Sequence, residues 1–182
     1  MNTASGVLAI VGFFPYIWAI LHHQTVPSPI TWAIWAGVDL LILVAMIKKK
    51  ATIGQIVGST IGALLILAFA LLFGKSEMNI AEWASIAIAI AGIVLWKKNG
   101  DAIFGIISGQ IALLAGAIPT FIKTYNNPLE EDPLSWCIWW ASCVFALMAI
   151  KKWNLENALQ PLTFTVIETT MVTLVVIRPL WL

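Results

Sequence analysis

Charged residues are scarce in this sequence. Only 10% of its 182 residues are Asp, Glu, Lys or Arg, whereas 60% are hydrophobic, and soluble domains carry about 25% charged residues. So few polar side chains cannot cover the surface of a water-soluble globule, which excludes that class and predicts an integral membrane protein. The net charge of +1 gives no reason to expect nucleic acid as a partner.

Cysteines are also few, and motifs that carry covalent chemistry are missing. Cys137 and Cys143 lie six residues apart in one apolar segment, where we expect packing residues rather than a disulfide or a metal pair. The sequence has no Ser-His-Asp pattern, no metal-ligand spacing and no phosphate loop. We therefore expect no enzyme, no cofactor and no metal. The segment 1–3 carries no basic residue, so we interpret the first apolar run as a helix of the mature protein rather than a signal peptide.

Long apolar runs predict an all-α membrane protein with about seven transmembrane helices. Each run approaches the roughly 20 residues that cross a bilayer, and polar or proline-bearing joints separate the runs. The predicted helices are 5–21, 30–47, 52–73, 80–96, 102–122, 134–150 and 158–177.

Lysine-rich joints alternate along the chain with joints that carry few lysines. The positive-inside rule then places the amino terminus in the cytoplasm and the carboxyl terminus outside, in a multi-pass protein of the bacterial inner membrane. The outer acidic run is expected to attract cations, or to be solvated with Asp132 capping helix six. Lysine-rich joints are 48–50, 97–98 and 151–152, and the opposite joints hold Lys75, Lys123, Glu77, Glu130, Glu131 and Asp132.

One seven-residue stretch occurs twice. The segment 29–35, Pro-Ile-Thr-Trp-Ala-Ile-Trp, returns 104 positions later as Pro-Leu-Ser-Trp-Cys-Ile-Trp at 133–139. We interpret this as an internal duplication. Because four crossings separate the copies, the two units run in parallel: a first triple-helix repeat at 1–73, an inverting linker helix at 74–99 and a second repeat at 100–182. The same shift carries Gly12 onto Gly116, Pro15 onto Pro119, Ala45 onto Ala149 and Lys48 onto Lys152.

Three helices, an inverting helix and three more, with a proline in the first helix of each unit, resemble the SWEET and PQ-loop transporter superfamily. The resemblance implies a substrate pocket between the units near mid-membrane, with Pro15 and Pro119 as paired hinges for alternating access. The glutamine that gives the PQ-loop its name is Tyr16 here, and Thr120 in the second unit. The chain is also similar to small bacterial seven-helix proteins with a Pro-x-x-x-Thr-Trp-like start to helix two.

Asp39 lies near the middle of helix two, where an ionised carboxylate costs on the order of 3 kcal/mol. It shares one helix face with Trp32 and Trp35. Paired aromatic rings with one carboxylate suit a polar or cationic ligand, whereas the alternative is that the tryptophans mark the membrane interface. The matching face of helix six carries Trp136, Trp139 and Cys143.

Glu168 is a second intramembrane acid, near the middle of helix seven. Like Asp39, it is expected either to bind substrate or a proton, or to form silent structural hydrogen bonds. No basic residue lies at mid-depth to pair with either acid. Besides these two acids, the candidate substrate-binding residues are Trp35, Trp139, Gln55, Gln110 and Thr165.

The sequence thus predicts a small secondary transporter that moves a small polar or cationic solute, with proton coupling left open. Its expected partners are membrane lipid and a small-molecule substrate, and a homo-oligomer stays open. A different class remains: a non-transporting subunit or scaffold, bound to another membrane protein through the small-residue ladder Gly54, Gly58 and Gly62. A ligand-binding receptor of the same fold is a third alternative.

Overall fold

The computed structural model describes residues 1–75 and 80–181, without the side chains of Ala81 and Trp181; the predicted loop acid Glu77 lies outside the described residues. Within these ranges the chain is helical and forms no β-strand. A 3₁₀ turn at Pro128–Glu130 precedes α7, and a π-helical segment at Thr173–Ile177 and a 3₁₀ turn at Arg178–Trp181 continue α8. The helices are α1 Asn2–Val11, α2 Phe13–Leu21, α3 Pro29–Lys48, α4 Gly54–Phe73, α5 Ile80–Asn99, α6 Ile103–Asn126, α7 Pro133–Met148 and α8 Leu155–Val172.

The all-α prediction is confirmed, since helices cover every predicted segment with ends shifted by a few residues. Helix α7 is apolar but has only 16 residues. The number and length of the apolar spans indicate a membrane protein. Within the described part of the chain, five spans are long and apolar enough to cross a bilayer: Asn2–Leu21, Pro29–Lys48, Gly54–Phe73, Ile103–Asn126 and Leu155–Leu180.

Helices α1 and α2 form one span that is interrupted at Gly12. Gly12 keeps right-handed helical angles, φ −60° and ψ −20°, so the chain continues in the same direction. Pro15 has no N–H to donate to the carbonyl of Val11, which accounts for an irregular turn at this place. Helix α6, in contrast, runs unbroken through Pro119. Of the two predicted hinge prolines, Pro15 therefore follows an interruption of its span, whereas Pro119 lies within a continuous helix.

The helices pack in a simple order of neighbours. Helix α4 packs against both α1 and α3, and α8 packs against both α6 and α7. Helix α1 also contacts α7, α3 contacts α6, and α5 lies along α6. Six helices therefore meet around the centre of the bundle, and α5 packs outside them.

Helices α3 and α7 begin in the same way. The hydroxyl of Ser28 accepts a hydrogen bond from the Thr31 N–H at 3.1 Å, and the Asp132 carboxylate accepts one from the Ser135 N–H at 2.7 Å. Each helix has proline at its first position, where the missing N–H breaks no helical bond. The cap predicted for Asp132 is confirmed.

Close approach of α1 and α4 depends on glycine. A Cβ atom added at Gly58 would lie 2.8 Å from the Cβ of Ala9 and still closer to the carbonyl oxygen of Gly6. A Cβ at Gly62 would overlap the ring of Phe13. This part of the small-residue ladder is thus filled by α1 and α2 of the same chain.

Gly58→Ala is expected to lower the midpoint of thermal unfolding in detergent. The added methyl group meets the α1 backbone, which cannot move aside, and overpacking of this kind costs about 1–3 kcal/mol. Gly37→Ala is the control, because nothing in the described residues lies within 4 Å of its added Cβ, and alanine favours the helix. Equal midpoints for the two variants would contradict the tight α1–α4 contact.

Candidate functional site

A cavity of about 70 Å³ lies at the centre of the bundle. A single water needs about 10–15 Å³, so the cavity has room for a few small atoms or waters. Its walls are largely aromatic and aliphatic, with side chains from α1, α2, α3, α4, α6, α7 and α8. Its polar lining consists of Asp39, Gln55, Ser59, Ser142 and Glu168.

Asp39 faces this cavity from α3 and is only 2% exposed. Its Oδ2 accepts a hydrogen bond from the Ser59 hydroxyl at 2.5 Å, a length typical of hydroxyl donors to carboxylates. Its Oδ1 is buried and has no hydrogen-bond partner among the described residues. A buried acceptor without a partner is unfavourable, so this oxygen is available to a bound group.

Glu168 faces the same cavity from α8. Within the part of the chain that the structure describes, its buried Oε2 lacks a hydrogen-bond partner, and so does the buried Nε1 of Trp35. No Lys, Arg or His is among the described residues that line the cavity. The cavity lining therefore presents two carboxyl groups, without a basic side chain among the described residues to neutralise them.

Four tryptophans enclose the cavity in two edge-to-face pairs. Trp32 and Trp35 have ring centroids 5.2 Å apart, and Trp136 and Trp139 have centroids 5.1 Å apart. Trp32 and Trp136 are 5% and 3% exposed. The interpretation of these two residues as membrane-interface markers is therefore wrong, because their rings pack inside the bundle.

Glycines make room for the two deeper indoles. A Cβ at Gly116 would lie 3.0 Å from Nε1 of Trp35, and a Cβ at Gly12 would overlap the indole of Trp139. The 104-position shift relates the two glycines to each other and the two tryptophans to each other. Each contact joins helices from opposite halves of the chain. Trp139 also donates to the carbonyl of Ala9 at 3.1 Å.

Gln55 borders the cavity on the side of the lysine-rich joints, an end of the bundle that we call the lysine-rich end (48–50, 97–98 and 151–152). Its Nε2 donates to the Ser142 hydroxyl at 3.0 Å and lies 3.0 Å from the Cys143 sulfur. Its Oε1 accepts from Nε2 of Gln160 at 3.1 Å. These bonds join α4 to α7 and α8 and cross the floor of the cavity.

The structure brings together five of the seven predicted binding residues and leaves two apart. Gln110 is buried but does not line the cavity, and its side-chain amide has no partner in the described residues. Thr165 donates to the carbonyl of Pro161 at 2.7 Å, also outside the lining. The five that line the cavity are Asp39, Trp35, Trp139, Glu168 and Gln55.

A vestibule of about 590 Å³ lies beyond the tryptophans, where α2 ends and α3 and α7 begin. Trp32, Trp35 and Trp136 line both spaces. Two buried carboxylates face the vestibule: Glu82, which accepts from the Thr31 hydroxyl at 2.6 Å, and Glu131, which accepts from Nε1 of Trp136 at 3.2 Å. Glu82 was not among the residues predicted from the sequence, although it is an acid in the first turn of an apolar helix.

Glu131 is a buried acid rather than a solvated loop charge. Burial raises the pKa of its carboxyl, while Lys123 at 3.2 Å and the indole N–H of Trp136 oppose that shift. Its ionised form is therefore held by one ammonium and one indole donor. Trp136 forms part of the wall between vestibule and cavity, so its bond to Glu131 joins the 127–132 loop to that wall.

Glu131→Gln is expected to change how stability depends on pH. Because the pKa of Glu131 is higher in the folded than in the unfolded protein, its ionisation opposes folding. This effect is absent below the ordinary value of 4.5 and grows as the pH rises toward the folded-state pKa. The stability of the wild type relative to Glu131→Gln should therefore fall as the pH rises above about 4.5, measured by thermal unfolding.

The half-exposed neighbour provides the control for this measurement. The side chain of Glu130 is 50% exposed and lies 3.8 Å from Lys123, so Glu130→Gln should produce a much smaller change across the same pH range. A difference between the wild type and Glu131→Gln that is constant with pH would contradict a raised pKa at Glu131.

The arrangement is suited to holding a small solute by hydrogen bonds, charge and aromatic faces. Comparison of the chain with protein-family models, with curated proteins and with solved structures gave no match. The geometry of the cavity and its vestibule is therefore the basis for any conclusion about function.

Proposed function

We propose that the protein is a small secondary transporter, similar to the SWEET and PQ-loop superfamily, that moves a small polar or cationic solute by alternating access. The central cavity carries this proposal. It places two acids, each with a buried oxygen that no described residue satisfies, next to a wide vestibule at one end of the bundle. Buried acids in membrane helices generally serve ion or substrate pathways.

The order of neighbouring helices supports a pair of parallel triple-helix units, 1–73 and 100–182, joined by a helix within 74–99. In each unit the third helix packs between the first two, and the first helix of each unit contacts the second helix of the other. A two-fold relation between the units would produce this pattern. The contacts of Gly12 with Trp139 and of Gly116 with Trp35 are related in the same way.

Contacts at the lysine-rich end support a state that is closed on that side. Lys49 lies 2.6 Å from Asp101 and 3.8 Å from Glu156, and the Thr52 N–H donates to the side chain of Asn157 at 2.8 Å. Each contact joins the first unit to the second or to the joint before it. The vestibule lies at the opposite end, which the positive-inside rule would place outside the cell.

The interruption of the first span at Gly12 supports a hinge near Pro15. Carbonyl groups released by a proline are tolerated beside a wet cavity, and Gly12 lies directly against Trp139. Bending at this position would move the cavity wall. Pro119 would play the equivalent role in the second unit, where the helix is continuous in the present conformation.

The scaffold alternative is less well supported. It requires a dry centre and an exposed groove of small residues, whereas Gly58 and Gly62 are covered by α1 and α2 and the centre holds Asp39 and Glu168. A receptor of the same fold would share the cavity but would bind its ligand without flux. Transport measurements therefore separate the transporter from the receptor.

Asp39→Asn should reduce uptake by about tenfold or more, or remove its dependence on pH, because it replaces the buried charge with a neutral group of the same size; a tenfold loss corresponds to about 1.4 kcal/mol. The solutes to be tested would first be identified by a thermal-shift screen of metabolites at two pH values. Their uptake would then be measured in proteoliposomes. Trp140→Phe is the control, since this residue is 41% exposed. Unchanged uptake by folded Asp39→Asn would remove Asp39 from the mechanism.

Lys49→Ala should favour opening at the lysine-rich end, because it removes both ion pairs there. In a Cys137→Ser background, Cys143 beside Gln55 should react several-fold faster with a membrane-impermeant thiol reagent applied from that end. Lys151→Ala, at an exposed lysine of the same end, is the control. Equal reaction rates for the two variants and the wild type would contradict a gate at Lys49.

A further inference from the structure

We infer that the cavity takes a small organic cation and exchanges it for a proton carried by Asp39. This inference rests on the proposed function and narrows it to one class of substrate and one form of coupling. Few ionisable groups lie around the cavity.

Asp39 on α3 and Glu168 on α8 are the ionisable residues among the described lining. Other titratable groups nearby are the thiol of Cys143 on α7, which contacts Gln55, and the phenol of Tyr16 on α2, which packs against Trp139. The described lining residues from α1, α2, α4 and α6 are neutral, among them Gln55 and Ser59. The described lining therefore contains two acids and no basic side chain.

The two acids have different surroundings. A hydroxyl donor at 2.5 Å from Ser59 favours the ionised form of Asp39. The buried Oε2 of Glu168 receives no hydrogen bond from any described residue, and an ionised carboxylate in that position would have neither a donor at this oxygen nor a counter-charge. We therefore treat Asp39 as ionised and Glu168 as protonated, which leaves one negative charge in the cavity.

A single ionised acid in the cavity restricts how a carrier can close. An ionised group in an apolar interior is unfavourable without a partner, so the units cannot close over Asp39 until that charge is neutralised. Either a monovalent cation or a proton can do this, and each excludes the other. The carrier would therefore cross between its two states with one or the other bound, but not empty.

The resulting cycle balances in atoms and charge. When a cation binds to Asp39 from one side, the proton on the carboxyl group leaves to the water on that side. After the units rearrange, the cation is released to the other side and a proton from that side binds to Asp39. Each full cycle moves one monovalent cation in one direction and one proton in the other.

The walls favour an organic cation over a hydrated metal ion. Indole faces attract ammonium and guanidinium groups, and four tryptophans enclose the cavity. Among the described residues, no three His, Cys, Asp or Glu side chains are grouped as metal ligands would be. The volume of about 70 Å³ limits the occupant to a small molecule.

Guanidinium and urea are the matched probes, because they have nearly the same shape and differ in charge. Guanidinium keeps its proton at all working pH values, so it cannot change the internal pH as a weak base does. The purified full-length protein would be reconstituted in liposomes that contain a pH-sensitive dye. We expect uptake of labelled guanidinium with alkalinisation of the lumen, and little uptake of urea. Because protons and guanidinium compete for one site, the apparent KM for guanidinium should rise by up to about tenfold for each pH unit of acidification.

Two substitutions test the separate roles of the acids. Asp39→Asn should reduce both guanidinium uptake and proton release by about tenfold or more. Glu168→Gln, which preserves a neutral hydrogen-bonding group, should change the apparent KM but keep the ratio of one proton for each guanidinium. Glu130→Gln in the vestibule is the control for loss of an acid, and an unchanged detergent unfolding midpoint would show that each variant is folded.

The outcomes that overturn this inference differ from those that overturn the carrier. Urea uptake equal to that of guanidinium, guanidinium uptake without proton movement, or a changed proton ratio in Glu168→Gln would each refute the exchange and leave a carrier in place. Transport of a screened metabolite, but not of guanidinium, would refute the cation class alone. Absence of uptake of every solute by the folded protein would refute both.

Discussion

An acid placed among apolar helices must be compensated, and the centre of this molecule is arranged around two of them. Ser59 provides the hydrogen bond to Asp39, and it does so from α4, whose neighbour α1 is close because Gly58 carries no side chain. The packing of two helices and the environment of one carboxylate are therefore linked. A change in the α1–α4 distance would move Ser59, the donor that holds Asp39.

The sequence allowed the helices and part of the cavity to be predicted, because those features depend on local patterns. Apolar runs bounded by lysines or prolines set the helix positions, and Asp132 followed by Pro133 set the start of α7. The spacing of Trp35 and Asp39 along one helix was enough to place both on the same face, and both line the cavity. The rarity of acids in apolar runs made Asp39 and Glu168 visible without any structure.

The remaining features depend on how the helices are set against each other, which one sequence does not reveal. The bond between Gln55 and Gln160 requires the relative rotation and height of α4 and α8. Trp32 resembles an interfacial residue from its place near the start of a helix, yet it is buried because α2 and α7 cover that end. Glu131 is buried because its loop folds back over Trp136, and composition alone predicted a solvated charge.

The 104-position shift does not carry Asp39 onto a second acid. The glycine and tryptophan pairs are kept at both copies, whereas the position that corresponds to Asp39 in the second copy is Cys143. An acid at both positions would bring a further carboxylate toward the same cavity, and neighbouring like charges make one of them hard to ionise. A thiol occupies the space without adding a charge, and it contacts Gln55 at the cavity floor. The inferred exchange needs one ionised carboxylate in the cavity, and one is the number that a monovalent ligand can neutralise.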